Sequence, residues 1–107
     1  MRTFMWQAAV LLMLQIVSAR AGAAGEIVQV KINDLAFSPA EITIKAGDTV
    51  EWVNGDFIDH TATATAGGWD VLIGAGKSAR LQFTTQGTSK YYCRFHPDMI
   101  GIVHVRP

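Results

Sequence analysis

The chain has 107 residues with nine basic and nine acidic side chains, and half of its residues are hydrophobic. That length suits a single domain. With a formal net charge of zero and no basic run or interleaved aromatic stripe, nucleic acid is excluded as an expected partner.

Residues 1–24 read as a leader. Met1-Arg2 supplies a positive end, Phe4 to Val17 is mostly apolar with Gln7 and Gln15 interrupting it, and Ser18-Ala19-Arg20-Ala21-Gly22-Ala23-Ala24 is rich in small residues. This is the layout of a secretory signal peptide, with cleavage after Ala21, Ala23 or Ala24. The apolar run is shorter than the about 20 residues that a membrane-spanning helix needs. Arg2 and Arg20 are too far apart for a twin-arginine signal, so Sec-type export of the unfolded chain to the periplasm is expected, with any metal acquired there. The leader has no cysteine to carry a lipid, so a soluble monomer without membrane insertion is expected. Without Arg2 and Arg20, seven basic residues face nine acidic ones, and Met99 is the only methionine in residues 25–107.

From Glu26 onwards the pattern predicts β-structure throughout. Val28, Val30 and Ile32 alternate with Gln29 and Lys31, which gives a strand with one buried face. Asn33-Asp34 turns the chain, Phe37 offers an aromatic side chain to the core, and Ser38-Pro39 breaks the run. Ile42 and Ile44 alternate with Thr43 and Lys45. Ala46-Gly47-Asp48 is a tight-turn signal that leads into Thr49 to Val53, so these two runs are expected to form a hairpin. Asn54 to Asp59 reads as a loop, and His60 opens the alternating run Thr61-Ala62-Thr63-Ala64. Gly67-Gly68 and Gly74-Ala75-Gly76 are breaks on either side of Trp69 and Val71 to Ile73. Ala79, Leu81 and Phe83 form a further strand, Gln86-Gly87 turns it, and Ser89 to Cys93 and Ile100 to Val105 complete the pattern. No stretch after the leader holds a helical period. Seven to eight short strands with turn signals roughly every ten residues point to an all-β sandwich.

The stretch that carries chemistry is Tyr92-Cys93-Arg94-Phe95-His96-Pro97-Asp98-Met99. Cys93 is the only cysteine, so no intramolecular disulfide exists; in an exported chain such a cysteine is intermolecular, reactive, metal-bound or a buried free thiol. Cys93-x-x-His96-x-x-Met99 places a thiolate, an imidazole and a thioether within seven residues. Two imidazoles and a thiolate with a weak axial thioether describe an electron-transfer copper site, and His60 is the candidate second imidazole. Zinc is the rival ion, but a thioether is a poor ligand for it. His104 shares parity with Ile100 and Ile102, opposite the Gly101-Val103-Val105 face, and is expected to point to solvent. No serine nucleophile elbow, paired carboxylates or open zinc motif is present, so an enzyme is not expected.

These residues resemble the small blue copper proteins, the cupredoxins of the plastocyanin, pseudoazurin and amicyanin group. The resemblance runs through Phe37-x-Pro39 and Gly47-Asp48-x-Val50-x-Trp52-x-Asn54-x-Asp56 to His60. It continues in Tyr92-Cys93-x-x-His96-Pro97-x-Met99-x-Gly101, whose compact spacing is similar to the loop of amicyanin. It implies a Greek-key sandwich with one copper ion, Cu(II)/Cu(I), at one end. The ligands would be His60, Cys93, His96 and Met99, with the edge of His96 near the surface. It implies single-electron shuttling between a redox donor and acceptor. Transient docking near His96 is expected on an apolar rim of Pro97, Phe57 or Ile58, and Ile100. The alternative is a periplasmic copper carrier without an electron-transfer role. In many relatives an asparagine follows the first histidine and a serine or threonine follows the cysteine, and their side chains link; here those positions are Thr61 and Arg94.

Overall fold

Alternation of apolar and polar residues gives each strand two unlike faces, and burial of the apolar faces against each other makes the fold. A computed structural model describes residues 25–107; the leader assigned to residues 1–24 lies outside the described residues. The strands are β1 (Ile27–Asn33), β2 (Ala36–Ser38), β3 (Glu41–Lys45), β4 (Thr49–Asn54), β5 (His60–Ala64), β6 (Asp70–Ile73), β7 (Ser78–Gln82), β8 (Gly87–Cys93) and β9 (His96–Arg106). They form a four-stranded sheet in the order β2-β1-β4-β7 and a five-stranded sheet in the order β3-β9-β8-β5-β6. The all-β sandwich expected from the pattern is present, with nine strands where seven to eight were expected. The extra strand is β2, which pairs with β1 around a two-residue turn. Asp34 and Leu35 both take positive φ there, 52° and 61°. The turn expected at Asn33-Asp34 is thus present, but Leu35 stands where such a turn normally has glycine, and the three residues of β2 are too few to show alternation.

The expected hairpin of β3 and β4 does not form. The turn between them is real: Gly47 has a φ of 102°, and the Asp48 amide donates to the Lys45 carbonyl at 2.9 Å. The strands it joins separate, β3 pairing in parallel with β9 and β4 in parallel with β1. A tight turn sets only the local reversal, and the long-range partners take each strand into a different sheet. The Asp48 carboxylate clips this corner by accepting the amides of Lys45 at 2.8 Å and Glu26 at 2.9 Å.

Between the sheets, Trp52 on β4 meets Tyr91 on β8, with ring centroids 5.7 Å apart in an edge-to-face arrangement. The Trp52 indole donates to the Tyr91 hydroxyl at 3.3 Å, which satisfies both buried polar groups. Burial, only partly offset by that bond, pushes the Tyr91 phenol up to about 12. Phe37, Trp69 and Phe83 complete the aromatic centre. Gly101 lies directly opposite Tyr91 across β8 and β9, and a Cβ there would sit 2.3 Å from the Tyr91 ring carbon bearing the hydroxyl.

Gly101→Ala is therefore expected to destabilise the fold by about 1–3 kcal/mol, as other overpacked core substitutions do, read as a lower urea midpoint at unchanged slope. The Lys45 amide, followed by the Glu26 amide, holds the Asp48 carboxyl below the ordinary carboxylate range. Its contribution is fully present above the unfolded-state pKa and disappears as pH falls through the lowered folded-state value. Asp48→Asn should lose stability relative to the parent at neutral pH, with the difference vanishing in strong acid, measured by thermal unfolding across pH.

Candidate metal centre

The loop from β4 to β5 is ordered by two polar side chains before it delivers His60. Asn54, at the end of β4 and buried, donates from its amide nitrogen to the carbonyls of Ile58 at 2.9 Å, Ile73 at 3.1 Å and Gly74 at 3.2 Å. Its carbonyl oxygen accepts the Asp56 amide at 2.9 Å. The Asp56 carboxylate then accepts the amides of Asp34 at 2.8 Å and Leu35 at 3.0 Å, so it caps the left-handed turn of the β1–β2 hairpin. It also lies 2.8 Å from Nε2 of His60. The Leu35 amide is the main influence holding the Asp56 carboxyl below its ordinary range; burial opposes it, and His60 and the Asp34 amide reinforce it. A carboxylate on Nε2 keeps the proton on that nitrogen and leaves the Nδ1 lone pair free.

That free nitrogen faces Cys93. His60 Nδ1 is 3.7 Å from the Cys93 sulfur, and His96 Nδ1 is 3.8 Å from it. One donor atom from each of His60, Cys93 and His96 lies within 4.8 Å of the others. Sequence separation is overcome by strand pairing: β5 and β8 are antiparallel neighbours, and a two-residue turn, Arg94-Phe95, sets Cys93 opposite His96 on β9. The loop expected from Cys93 to Met99 is thus a tight hairpin whose second strand begins at His96. The shift in register between Tyr92 and Cys93 is a bulge of the kind that re-aims a side chain. His60 and Cys93 are each 0% exposed, His96 is half-buried, and Met99 is 4% exposed within the core cluster. Met99 and His96 line one depression together with Leu35, Phe95, Pro97 and Asp98.

The thiol sits among polar groups. Burial pushes the Cys93 thiol up, but the Thr61 amide, His96, His60 and the Phe95 amide outweigh it and bring it down to about 6. The Thr61 amide donates to the sulfur at 3.3 Å. Nitrogen and thiolate ligands lie about 2.0–2.3 Å from a bound ion. A triangle around such an ion has edges of roughly 3.5–3.9 Å by the same bond lengths, which matches the two nitrogen–sulfur separations. The donor set therefore fits a metal ion in the pocket, and its softness fits copper.

Comparison with known proteins places the chain. A family model described as "Cupredoxin-like domain" matches residues 6–105. The chain belongs to the cupredoxin-like family. Amicyanin from Paracoccus versutus is 34% identical over 93 residues, covering 81% of this chain and 70% of the relative. A plastocyanin from Scenedesmus fuscus is 38% identical over 74 residues, covering 58% of this chain and 76% of the relative. Among solved structures, that of the Paracoccus versutus amicyanin aligns with a TM-score of 0.65 at 33% identity, covering 74% of this chain and 80% of that one. A purple cupredoxin from Nitrosopumilus maritimus aligns at 0.67 with 28% identity, covering 73% and 98% respectively.

His104 lies outside the cluster, as expected: its ring contacts the Thr88 hydroxyl at 3.0 Å and the Glu41 carboxylate on the outer sheet face. Ile100, expected on the rim near His96, instead sits opposite Tyr92 and lines a separate depression with Thr65 and Lys90. Alternation explains the difference, because Ile100 follows the inward Met99 and so faces out. Asp56 carries no assigned role in the motif from Gly47 to His60; its position four residues before His60 is the sequence signal for their contact. Asp56→Ala should reduce metal affinity on the order of 10–100-fold, as loss of a ligand-orienting partner does elsewhere, measured by competition against a chelator.

Proposed function

We propose that this protein carries single electrons on one copper ion held by His60, Cys93, His96 and Met99. The observation that carries this reading is the convergence of two imidazole nitrogens on one buried sulfur, 3.7 and 3.8 Å away, with the sole thioether of residues 25–107 three positions beyond His96. A copper ion bound there supplies a one-electron couple between Cu(II) and Cu(I). The chain's part is to keep the donors where both oxidation states accept them. Asp56 holds His60, the tight hairpin holds Cys93 opposite His96, and core packing holds Met99. Little ligand movement then accompanies the transfer.

His96 links the pocket to the surface. Around it stand Leu35, Phe95 and Pro97 in one depression, and the neighbouring loop adds Ile58, 45% exposed, and Phe57, 100% exposed. Exposed apolar groups gathered in this way suit a brief protein contact, so redox donor and acceptor dock here in turn. The leader pattern of residues 1–24 supports a periplasmic site for this work, after Sec-type export. A copper carrier without an electron-transfer role is the less suited reading, since metal exchange calls for accessible ligands and both His60 and Cys93 are 0% exposed.

Addition of Cu(II) to the purified metal-free protein should give an intense visible thiolate-to-copper band and a reversible one-electron voltammogram. Cys93→Ser should remove the band entirely. A colourless or irreversible copper adduct of the parent protein would sink the electron-carrier reading.

A further inference from the structure

The two residues that depart from the family pattern, Thr61 and Arg94, belong to a closed ring of polar contacts on the outer face of the five-stranded sheet. The Arg94 main-chain amide donates to the Thr61 hydroxyl oxygen at 2.9 Å. The Thr61 hydroxyl lies 2.9 Å from that of Thr63. Thr63 donates to an Asp70 carboxylate oxygen at 2.5 Å. The Arg94 guanidinium closes the circuit on Asp70 through Nε at 3.0 Å and a terminal nitrogen at 3.3 Å. Each hydroxyl has one proton to give. Thr63 spends its proton on Asp70, so Thr61 donates to Thr63, and the Thr61 oxygen is left to accept from the Arg94 amide. The direction of every bond in the ring is fixed.

Register explains why these residues meet. Thr63 stands directly opposite Asp70 across β5 and β6, and opposite Tyr92 across β5 and β8. Thr61 shares the face of Thr63 yet is 0% exposed, so its hydroxyl depends on these partners. The same residue presents its amide to the Cys93 sulfur at 3.3 Å. The ring thus grips Thr61 by its side chain and the Cys93 turn by the Arg94 amide. We infer that Thr63, Asp70 and Arg94 are positioning residues, which hold the Thr61 amide on the Cys93 sulfur and so set the electron-donating strength of that sulfur. The inference rests on the copper-carrier reading for its consequence and on the ring geometry for its cause.

An amide bond to the sulfur withdraws charge from it and favours the reduced state of a bound metal. Loosening that bond lowers the reduction potential. Thr63→Val cuts the ring without altering any charge, and Thr63→Ser keeps the hydroxyl. In the metal-free protein, amide hydrogen exchange at Arg94 should quicken about tenfold in Thr63→Val and stay at the parent rate in Thr63→Ser. Asp70→Ala, at an exposed position, cuts the same ring and should quicken that exchange likewise. In the copper-loaded protein, Thr63→Val should shift the preference for the two oxidation states about threefold toward the oxidised one. For one electron that is roughly 30 mV downward, and it should come with a moved thiolate-to-copper band; Thr63→Ser should restore both. Unchanged Arg94 exchange in both Thr63→Val and Asp70→Ala overturns the ring. Faster exchange with an unchanged potential and band overturns its action on the sulfur. If the parent protein forms no coloured copper site, the copper reading fails by itself, while the exchange measurements still decide the ring.

Discussion

A sulfur atom that is 0% exposed and acidic enough to carry charge near neutrality has to be surrounded by polar groups. The groups around Cys93 come from separate pieces of chain: the His60 ring and the Thr61 amide from β5, the His96 ring from the start of β9, and the Phe95 amide from the turn between β8 and β9. No local segment can assemble that set. Bringing β5 beside β8 and folding β9 back at Arg94-Phe95 are the two acts that do so. The rest of the sandwich is the frame that keeps those pairings in register. Trp52 and Tyr91 lock the two sheets across the core, and Gly101 leaves the room that Tyr91 occupies.

Rigidity at the site has a second source on the opposite sheet. Asp56 joins His60 to the Asp34-Leu35 turn, where both residues adopt backbone angles that L-residues seldom take. Such a conformation persists only where neighbours hold it, and the carboxylate supplies two acceptors for its amides. Leu35 also lines the depression beside His96. One carboxylate therefore fixes the tautomer of a buried imidazole and the shape of the apolar face beside His96. Any movement of that face is felt at His60 through a single side chain.

How much of this was legible in the sequence follows from how local each feature is. The β class was legible because alternation repeats within five or six residues, as in Ile42-x-Ile44 and Val50-x-Trp52. The nearness of Cys93 to His96 was legible because they fall within one short run, and His60 stands out because the motif from Gly47 to Asp56 resembles that of a known family; these are the three residues that the fold brings together. The passage of β3 and β4 into different sheets was not legible: the Ala46-Gly47 turn looks the same whether the strands it joins pair or part. The role of Asp70 was hidden for the same reason, since its contact with Thr63 exists only once β5 and β6 take their register. Strand neighbours and register belong to the whole chain, and no window of the sequence contains them.

The departure at Thr61 and Arg94 changes the kind of link at the site while keeping a link. A bond between two side chains ties the identity of both residues to the site. Here the Thr61 hydroxyl takes the main-chain amide of Arg94, and every residue except proline provides that amide. The side chain at position 94 is thereby released from the metal centre. It is spent on the surface, where its guanidinium pairs with Asp70 and lies 5.5 Å from the centre of the Phe95 ring. Phe95 belongs to the depression around His96. The same substitution that leaves the sulfur's surroundings bonded through the backbone thus carries a positive charge to the edge of the depression around His96. A contact beside the thiolate and a charge at the rim of the depression meet in one residue, and they are divided between its main chain and its side chain.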